Sequence, residues 1–229
     1  MENNNETKLK EIIKAFYDAK FLDDVILIGS WCLTFYKLIF DNFLPQVRTT
    51  DIDFYVPNIK KANATNVSSS LKEINYDHIK DLLTNKSKFI SPDGFEIEFL
   101  AKLNRDNVST IQIGSSSIFA ESLSCVDIFS LNYVECSYYG YSLKVASPSA
   151  FVIQKILINE KRGAKKEKDI IAIKYVIDFI AISNKYRKDF NSLYNTLPKK
   201  WKNKIMLFAK KENIYLPLNN AYQTINKKL

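Results

Sequence analysis

The sequence predicts an α/β (α+β) protein in which a mixed sheet with flanking helices is followed by a helical bundle. Three observations carry this. Short apolar or alternating runs, each closed by a turn signal, are spread over the first two thirds of the chain. From Ser147-Pro148 onward the pattern becomes helical. The charge changes sign at the same place: residues 148–229 hold 18 basic and 6 acidic side chains, net +12, and residues 1–147 are net −4. The expected domains are therefore 1–147 and 148–229, and the second faces an anion.

The elements follow in order. Leu9, Ile12, Ile13, Phe16 and Tyr17 recur at helical spacing within residues 7–20. Val25-Ile26-Leu27-Ile28 reads as a buried strand that ends in the Gly29-Ser30 turn. A helix is predicted from Trp31 to about Phe43, closed by Pro45. Asp51-Ile52-Asp53-Phe54-Tyr55-Val56 is a strand stopped by Pro57-Asn58. Residues 60–70 read as a polar loop or helix start, and Leu71 to Leu83 shows weak helical spacing. Phe95-Glu96-Ile97-Glu98-Phe99-Leu100 alternates as a strand, with Glu96 and Glu98 on one face. Short strands are expected at 111–113 and 141–145, and helices at about 149–160, 166–183, 187–195 and 198–212, with a last short piece. His78 reads as a surface residue and Trp31 as core.

Composition excludes several classes. Hydrophobic residues are 46% and charged residues 25%, so the chain can bury a core and is not a disordered or fibrous sequence. No window approaches a membrane span, and the polar start lacks the apolar centre of a signal peptide, so no membrane role is expected. Cys32, Cys125 and Cys136 are an odd, widely spaced set that suits reduced thiols and a cytoplasmic location. With one histidine, a Ser–His–Asp triad or a histidine-rich zinc site has little material.

The chemistry is concentrated in Gly29-Ser30, Asp51-Ile52-Asp53 and Glu98. A strand ending in Gly-Ser and feeding a helix suits a phosphate, with Gly29 permitting close approach and Ser30 adding a hydroxyl donor. Asp51 and Asp53 share a strand face about 7 Å apart, where they serve as ligands for Mg²⁺. A third carboxylate from another strand completes the cluster, with Glu98 the first candidate and Glu96 on the same face the alternative. Three convergent carboxylates without histidine point to metal-assisted phosphoryl or nucleotidyl transfer. Taken singly, Asp-x-Asp also describes a solvated strand face and Lys155 a snorkelling surface lysine; the ordered set within strand–turn–helix–strand carries the signal.

Gly29-Ser30-Trp31-Cys32-Leu33, Arg48-Thr49-Thr50-Asp51-Ile52-Asp53-Phe54 and Ile97-Glu98-Phe99-Leu100 resemble the polymerase β-like nucleotidyltransferase superfamily. The local text is similar to a bacterial branch near the abortive-infection AbiEii-type toxins, and Lys155, Arg162 and Lys168-Asp169 look like its downstream motifs. The resemblance implies that Ser30 holds triphosphate, that Asp51, Asp53 and Glu98 hold Mg²⁺ (or Mn²⁺), and that Lys155 contacts the phosphates of the nucleoside triphosphate donor, ATP among them. It implies that Asp169 positions an acceptor or a neighbouring side chain, and that Arg48, Arg162 and Lys168 contact acceptor or phosphate. Two departures stand out: 20 residues separate Ser30 from Asp51, an excess assigned to Leu44-Pro45-Gln46-Val47, and the third carboxylate is Glu rather than Asp. The expected reaction moves a nucleoside monophosphate to an acceptor hydroxyl. RNA, such as a tRNA 3′ end, is the first acceptor, in a toxin-like role that a cognate antitoxin would restrain. A small molecule or protein hydroxyl is the second, and a degenerate nucleotide-binding module is the third reading.

Overall fold

The computed structural model describes residues 4–44, 49–103 and 108–218, and these divide into two compact units, residues 1–146 and 147–229. Among the described residues the first unit is built on nine strands and the second is helical.

Helix α1 (Asn4–Asp18) buries Leu9, Ile12, Ile13 and Phe16 completely, whereas Tyr17 is exposed. Strand β1 (Ile26–Ile28) follows, buried at every position. The helix predicted to reach Phe43 is shorter: a 3₁₀ turn (Gly29–Trp31) leads into α2 (Cys32–Tyr36). Beyond it Leu38 and Ile39 donate to Phe35 and Tyr36 through tightened bonds, and Asn42 at φ +57° turns the chain away. Aromatic packing competes with helix continuation there. Tyr36, Phe40 and Phe43 gather at centroid distances of 5.7–6.3 Å, and the buried Tyr36 hydroxyl donates to the Ala146 carbonyl at 2.8 Å.

Strands β2 (Asp51–Tyr55) and β5 (Glu96–Lys102) match their predicted positions. Between them lie α3 (Val67–Glu73), β3 (Asp77–Lys80) and β4 (Ser87–Ile90). The weak helical reading of Leu71–Leu83 thus fails after Glu73, where an antiparallel hairpin begins. β3 is an edge strand with His78 half-buried and its other residues exposed, so it has no apolar alternation to betray it. Strands β6 (Thr110–Gln112), β7 (Phe119–Leu123), β8 (Tyr133–Tyr138) and β9 (Tyr141–Ala146) complete the sheet. Its order is β3-β4-β5-β2-β1-β9-β8, with β7 joining β5 and β6 joining β7. β2 runs antiparallel to β1 and parallel to β5, so the sheet is mixed. Phe16, Phe21, Phe54, Phe89 and Phe99 form the aromatic core on one face.

In the second unit Ser147 caps α4 (Pro148–Ile158), accepting from the Ala150 N–H at 3.2 Å, with Pro148 at the first helical position. Helices α5 (Lys166–Ile182), α6 (Asn184–Thr196) and α7 (Lys199–Lys211) follow. α4 is buried at every residue from Pro148 to Leu157, including Lys155. The expected last short piece lies outside the described residues. No described helix is long and apolar enough to cross a membrane.

Candidate active site

Gly29 ends β1 with φ +72°, a left-handed conformation that favours glycine. A Cβ at this position would overlap the Asp53 carboxylate. The reason is register: Ile28 pairs with Asp53 across β1 and β2, so the turn folds directly against that side chain. Ser30 is half-buried within the 3₁₀ turn. Trp31 is core, as predicted, and its indole N–H donates to the Asp51 carbonyl at 3.0 Å, tying the turn to β2.

Strand alternation puts Ile52 and Phe54 in the core and Asp51 and Asp53 on the opposite face. β5 repeats the pattern, with Ile97 and Phe99 buried and Glu96 and Glu98 half-buried. In the parallel register Asp51 pairs with Glu96 and Asp53 with Glu98. The structure therefore brings Asp51, Asp53 and Glu98 onto one face, beside the Gly29-Ser30 turn. The Thr49 hydroxyl donates to the Asp51 carboxylate. Arg48 and the stretch Pro45-Gln46-Val47 lie outside the described residues.

Sequence reasoning missed the cations on this face. Lys86 bridges Glu98 at 3.0 Å and Glu121 of β7 at 2.5 Å, and Lys88 of β4 reaches Glu96 at 2.8 Å. Partial burial disfavours the Lys86 ammonium, but the bonds to Glu121 and Glu98 outweigh it and hold its pKa above the ordinary lysine value. The signal was present in Lys86-Ser87-Lys88-Phe89, which alternates charged and inward residues with the period of a strand. Lys86 and Lys88 thus pair with the glutamates of this face, Glu98, Glu121 and Glu96. Mg²⁺ takes one or two carboxylates plus water and phosphate oxygens, and Asp51 with Asp53 fits that demand. Among the described residues no three His, Cys, Asp or Glu side chains converge as a preformed cage.

The second unit assembles Lys155, Arg162 and Asp169. Asp169 is 2% exposed and Lys155 is 4% exposed, and they pair at 2.5 Å. Arg162 adds a guanidinium contact to the other carboxylate oxygen at 2.9 Å. The Lys155 ammonium also lies 5.1 Å from the Phe151 ring centroid. Lys168 is beside Asp169 on α5.

A Gly-Ser turn on a mixed sheet, next to a strand bearing Asp-x-Asp, defines a nucleotidyltransferase-type fold. A family profile described as Nucleotidyltransferase matches residues 7–196. The chain belongs to this nucleotidyltransferase family and is an enzyme of nucleotidyl transfer. Its fold is similar to that of ANT(2'')-Ia in complex with adenylyl-2''-tobramycin (TM-score 0.51, 9% identity, 91% of this chain and 99% of that one). A solution structure of the antibiotic-resistance factor ANT(2'')-Ia gives TM-score 0.50 at 9% identity, covering 86% and 94%. An antigenic nucleotidyltransferase-like protein from Paracoccidioides brasiliensis matches at TM-score 0.47 and 16% identity, covering 89% and 93%. No curated protein matches the chain.

Proposed function

We propose that the protein transfers a nucleoside monophosphate from a Mg²⁺-bound nucleoside triphosphate to an acceptor hydroxyl, and that residues 1–147 carry the catalysis. The observation that carries this reading is the contact of Gly29 with the Asp53 carboxylate, next to Asp51 and opposite Glu98. A phosphate seated on the Gly29-Ser30 turn would lie beside the acids that hold its counterion. Asp51 and Asp53 would hold the metal, which when bound neutralises phosphate charge and favours the departing pyrophosphate. Ser30 donates its hydroxyl to the triphosphate. Glu98, steadied by Lys86, accepts the proton of the incoming hydroxyl or completes the metal's ligands. Lys155 and Arg162 fix the Asp169 carboxylate, and in this reading the trio shapes the second unit's contribution to nucleotide or acceptor binding.

RNA is the proposed acceptor. The support is the charge of residues 148–229, net +12, because RNA affinity comes largely from Lys and Arg at phosphates. A toxin-like role restrained by an antitoxin rests on the resemblance at Lys155, Arg162 and Lys168-Asp169. A small-molecule hydroxyl is the second reading, favoured by the fold shared with ANT(2'')-Ia, whose complex contains adenylyl-2''-tobramycin.

Incubation with each labelled triphosphate, Mg²⁺, total RNA and a small-molecule extract separates the two readings by which fraction takes the label. A charge reversal of Lys161, Lys165 and Lys166 should abolish RNA labelling while triphosphate affinity stays within twofold. Arg162 is kept because it holds Asp169. Labelling confined to small molecules would remove RNA from the reading.

A further inference from the structure

Lys86 immediately precedes β4, in a turn that hydrogen bonds pin down. The Asp81 carboxylate accepts from the Leu83 and Thr84 N–H groups at 2.9 and 2.7 Å, and the Asp81 N–H donates to the Lys86 carbonyl at 2.9 Å. Asn85, at φ +59°, completes the reversal in the left-handed region that asparagine tolerates. The Lys86 backbone is thereby fixed, while its four-carbon side chain keeps its torsions. From this base the ammonium reaches two strands, lying 3.0 Å from Glu98 of β5 and 2.5 Å from Glu121 of β7. Glu121 is the register partner of Leu100, two residues beyond Glu98, so the two carboxylates share a face.

The two carboxylates differ in their neighbours. Glu98 has a side chain 19% exposed and stands in register with Asp53, which lies against Gly29. A carboxylate so far withdrawn from water needs a counterion, and Lys86 supplies it. Glu121 is more exposed, stands in register with the apolar Leu100, and is the nearer of the two acids to the ammonium. Lys88, by contrast, has one carboxylate partner among the described residues, Glu96 at 2.8 Å. A lysine with one seat is an ordinary ion pair. A lysine with two can leave one carboxylate without becoming unpaired, and partly exposed ion pairs are weak enough for that exchange to cost little.

We infer that Lys86 is the exchangeable counterion of Glu98: it holds this carboxylate before a divalent cation binds at Asp51 and Asp53, and withdraws onto Glu121 afterwards. The inference rests on the nucleotidyl-transfer reading above and deepens it by naming how that site is regulated. Glu98 becomes available, as base or as ligand, only in the metal-loaded protein. A cation shifts such an equilibrium only through the difference in its affinity for the two arrangements. Here the difference is one positive charge, kept at Glu98 in the first arrangement and withdrawn from it in the second. Lys86 therefore weakens the affinity of this face for the metal, and Glu121 restores part of it by giving the lysine somewhere to go.

Mn²⁺ binding by the full chain, followed by the electron paramagnetic resonance signal of the free ion with no triphosphate present, tests this. Lys86→Met should tighten Mn²⁺ about fivefold or more, the scale of removing one like charge from beside the ion. Lys86→Gln, which removes the charge but keeps a donor for Glu98, should do the same and stands in for a Met variant that does not fold. Glu121→Gln should weaken Mn²⁺, because Lys86 then has Glu98 alone. The Lys86→Met/Glu121→Gln protein decides: it should match Lys86→Met, since Glu121 acts through the lysine. A double variant that returns to the wild-type affinity would reveal two independent charges and overturn the inference, as would unchanged affinity in both Lys86 variants. Asp53→Asn reports on the reading beneath. Binding lost in Asp53→Asn but indifferent to Lys86 and Glu121 overturns the exchange and leaves the metal site standing, whereas binding that survives Asp53→Asn overturns both. No binding by the wild type or by Lys86→Met overturns the exchange alone, since labelled transfer is assayed with the triphosphate present.

Discussion

Asp53 and Asp169 are both aspartates on regular elements, and their surroundings are opposite. Asp53 is half-buried on a strand face that it shares with Asp51 and Glu98, with a glycine clearing the space beside it. Asp169 is 2% exposed, and the chain's own Lys155 and Arg162 occupy both its oxygens. The first arrangement leaves the carboxylate partly open on a strand face that a ligand can reach. The second meets its demand internally and returns rigidity. The difference separates an acid placed to meet a ligand from one that holds its neighbours in position.

The largest expected effect lies on the strand face. Asp53→Asn should lower turnover about 10⁴-fold, roughly 5 kcal/mol of transition-state stabilisation, with circular dichroism and melting temperature nearly unchanged. Turnover assays with a labelled triphosphate check it. Wild-type turnover in an Asp51→Asn/Asp53→Asn protein would remove these acids from the chemistry and erase the contrast with Asp169.

The next effect falls on stability. Lys155→Met leaves a buried carboxylate with only the partly exposed Arg162. Breaking a buried pair on one side costs about 3–5 kcal/mol, and replacing both partners by apolar residues recovers much of it. Urea unfolding should therefore show Lys155→Met/Asp169→Leu to be more stable than Lys155→Met alone. A Lys155→Met protein that keeps its stability but binds triphosphate tenfold more weakly would place Lys155 at the phosphates, as the resemblance implies, and break the comparison.

A smaller effect separates neighbours on one strand. Glu98 is the register partner of Asp53, and Glu96 of Asp51. Glu98→Gln should cut turnover ten- to a hundredfold, about 1.4–2.8 kcal/mol, whereas Glu96→Gln removes a partly exposed pair with Lys88 worth about 1 kcal/mol or less. Steady-state rates of the two variants decide. The reverse order would shift the reacting position along the strands to Asp51 and Glu96.

These regions are unequally legible in the sequence. A strand has a side-chain period of two, so Asp51-Ile52-Asp53 and Glu96-Ile97-Glu98 announce a shared face by their spacing alone. The Ser147-Pro148 start is equally local. The Lys86 and Lys88 bridges depend on β4 lying beside β5, which is a fact of topology. Lys155 and Asp169 are 14 residues apart on separate helices, and spacing alone does not say whether such a lysine faces solvent, phosphate or an acid. The short α2 was hidden because aromatic packing of Tyr36, Phe40 and Phe43 is a tertiary effect that helical spacing also satisfies.

The smallest effect concerns the hairpin that the sequence hid, whose inner strand carries Lys88. His78 on β3 stacks on Phe89 of β4 with ring centroids 4.7 Å apart, and its Nε2 is buried without a hydrogen-bond partner among the described residues. Burial, helped by the Lys80 ammonium, lowers its pKa below the ordinary histidine value of 6.5. The unfolded chain then takes up a proton at a pH where the folded chain does not. Stability is therefore full above the unfolded value near 6.5 and falls as pH drops from there toward the lowered folded value. His78 is the only histidine in the chain, so few other side chains titrate between about pH 5.5 and 7.5. Urea midpoints of the wild type should rise across this range, and those of His78→Phe should stay flat. A slope that survives in His78→Phe would assign the pH dependence elsewhere. A flat wild type would show that the hairpin opens to water, leaving Lys88 on a loose edge and the carboxylate face with less cationic support than the register describes.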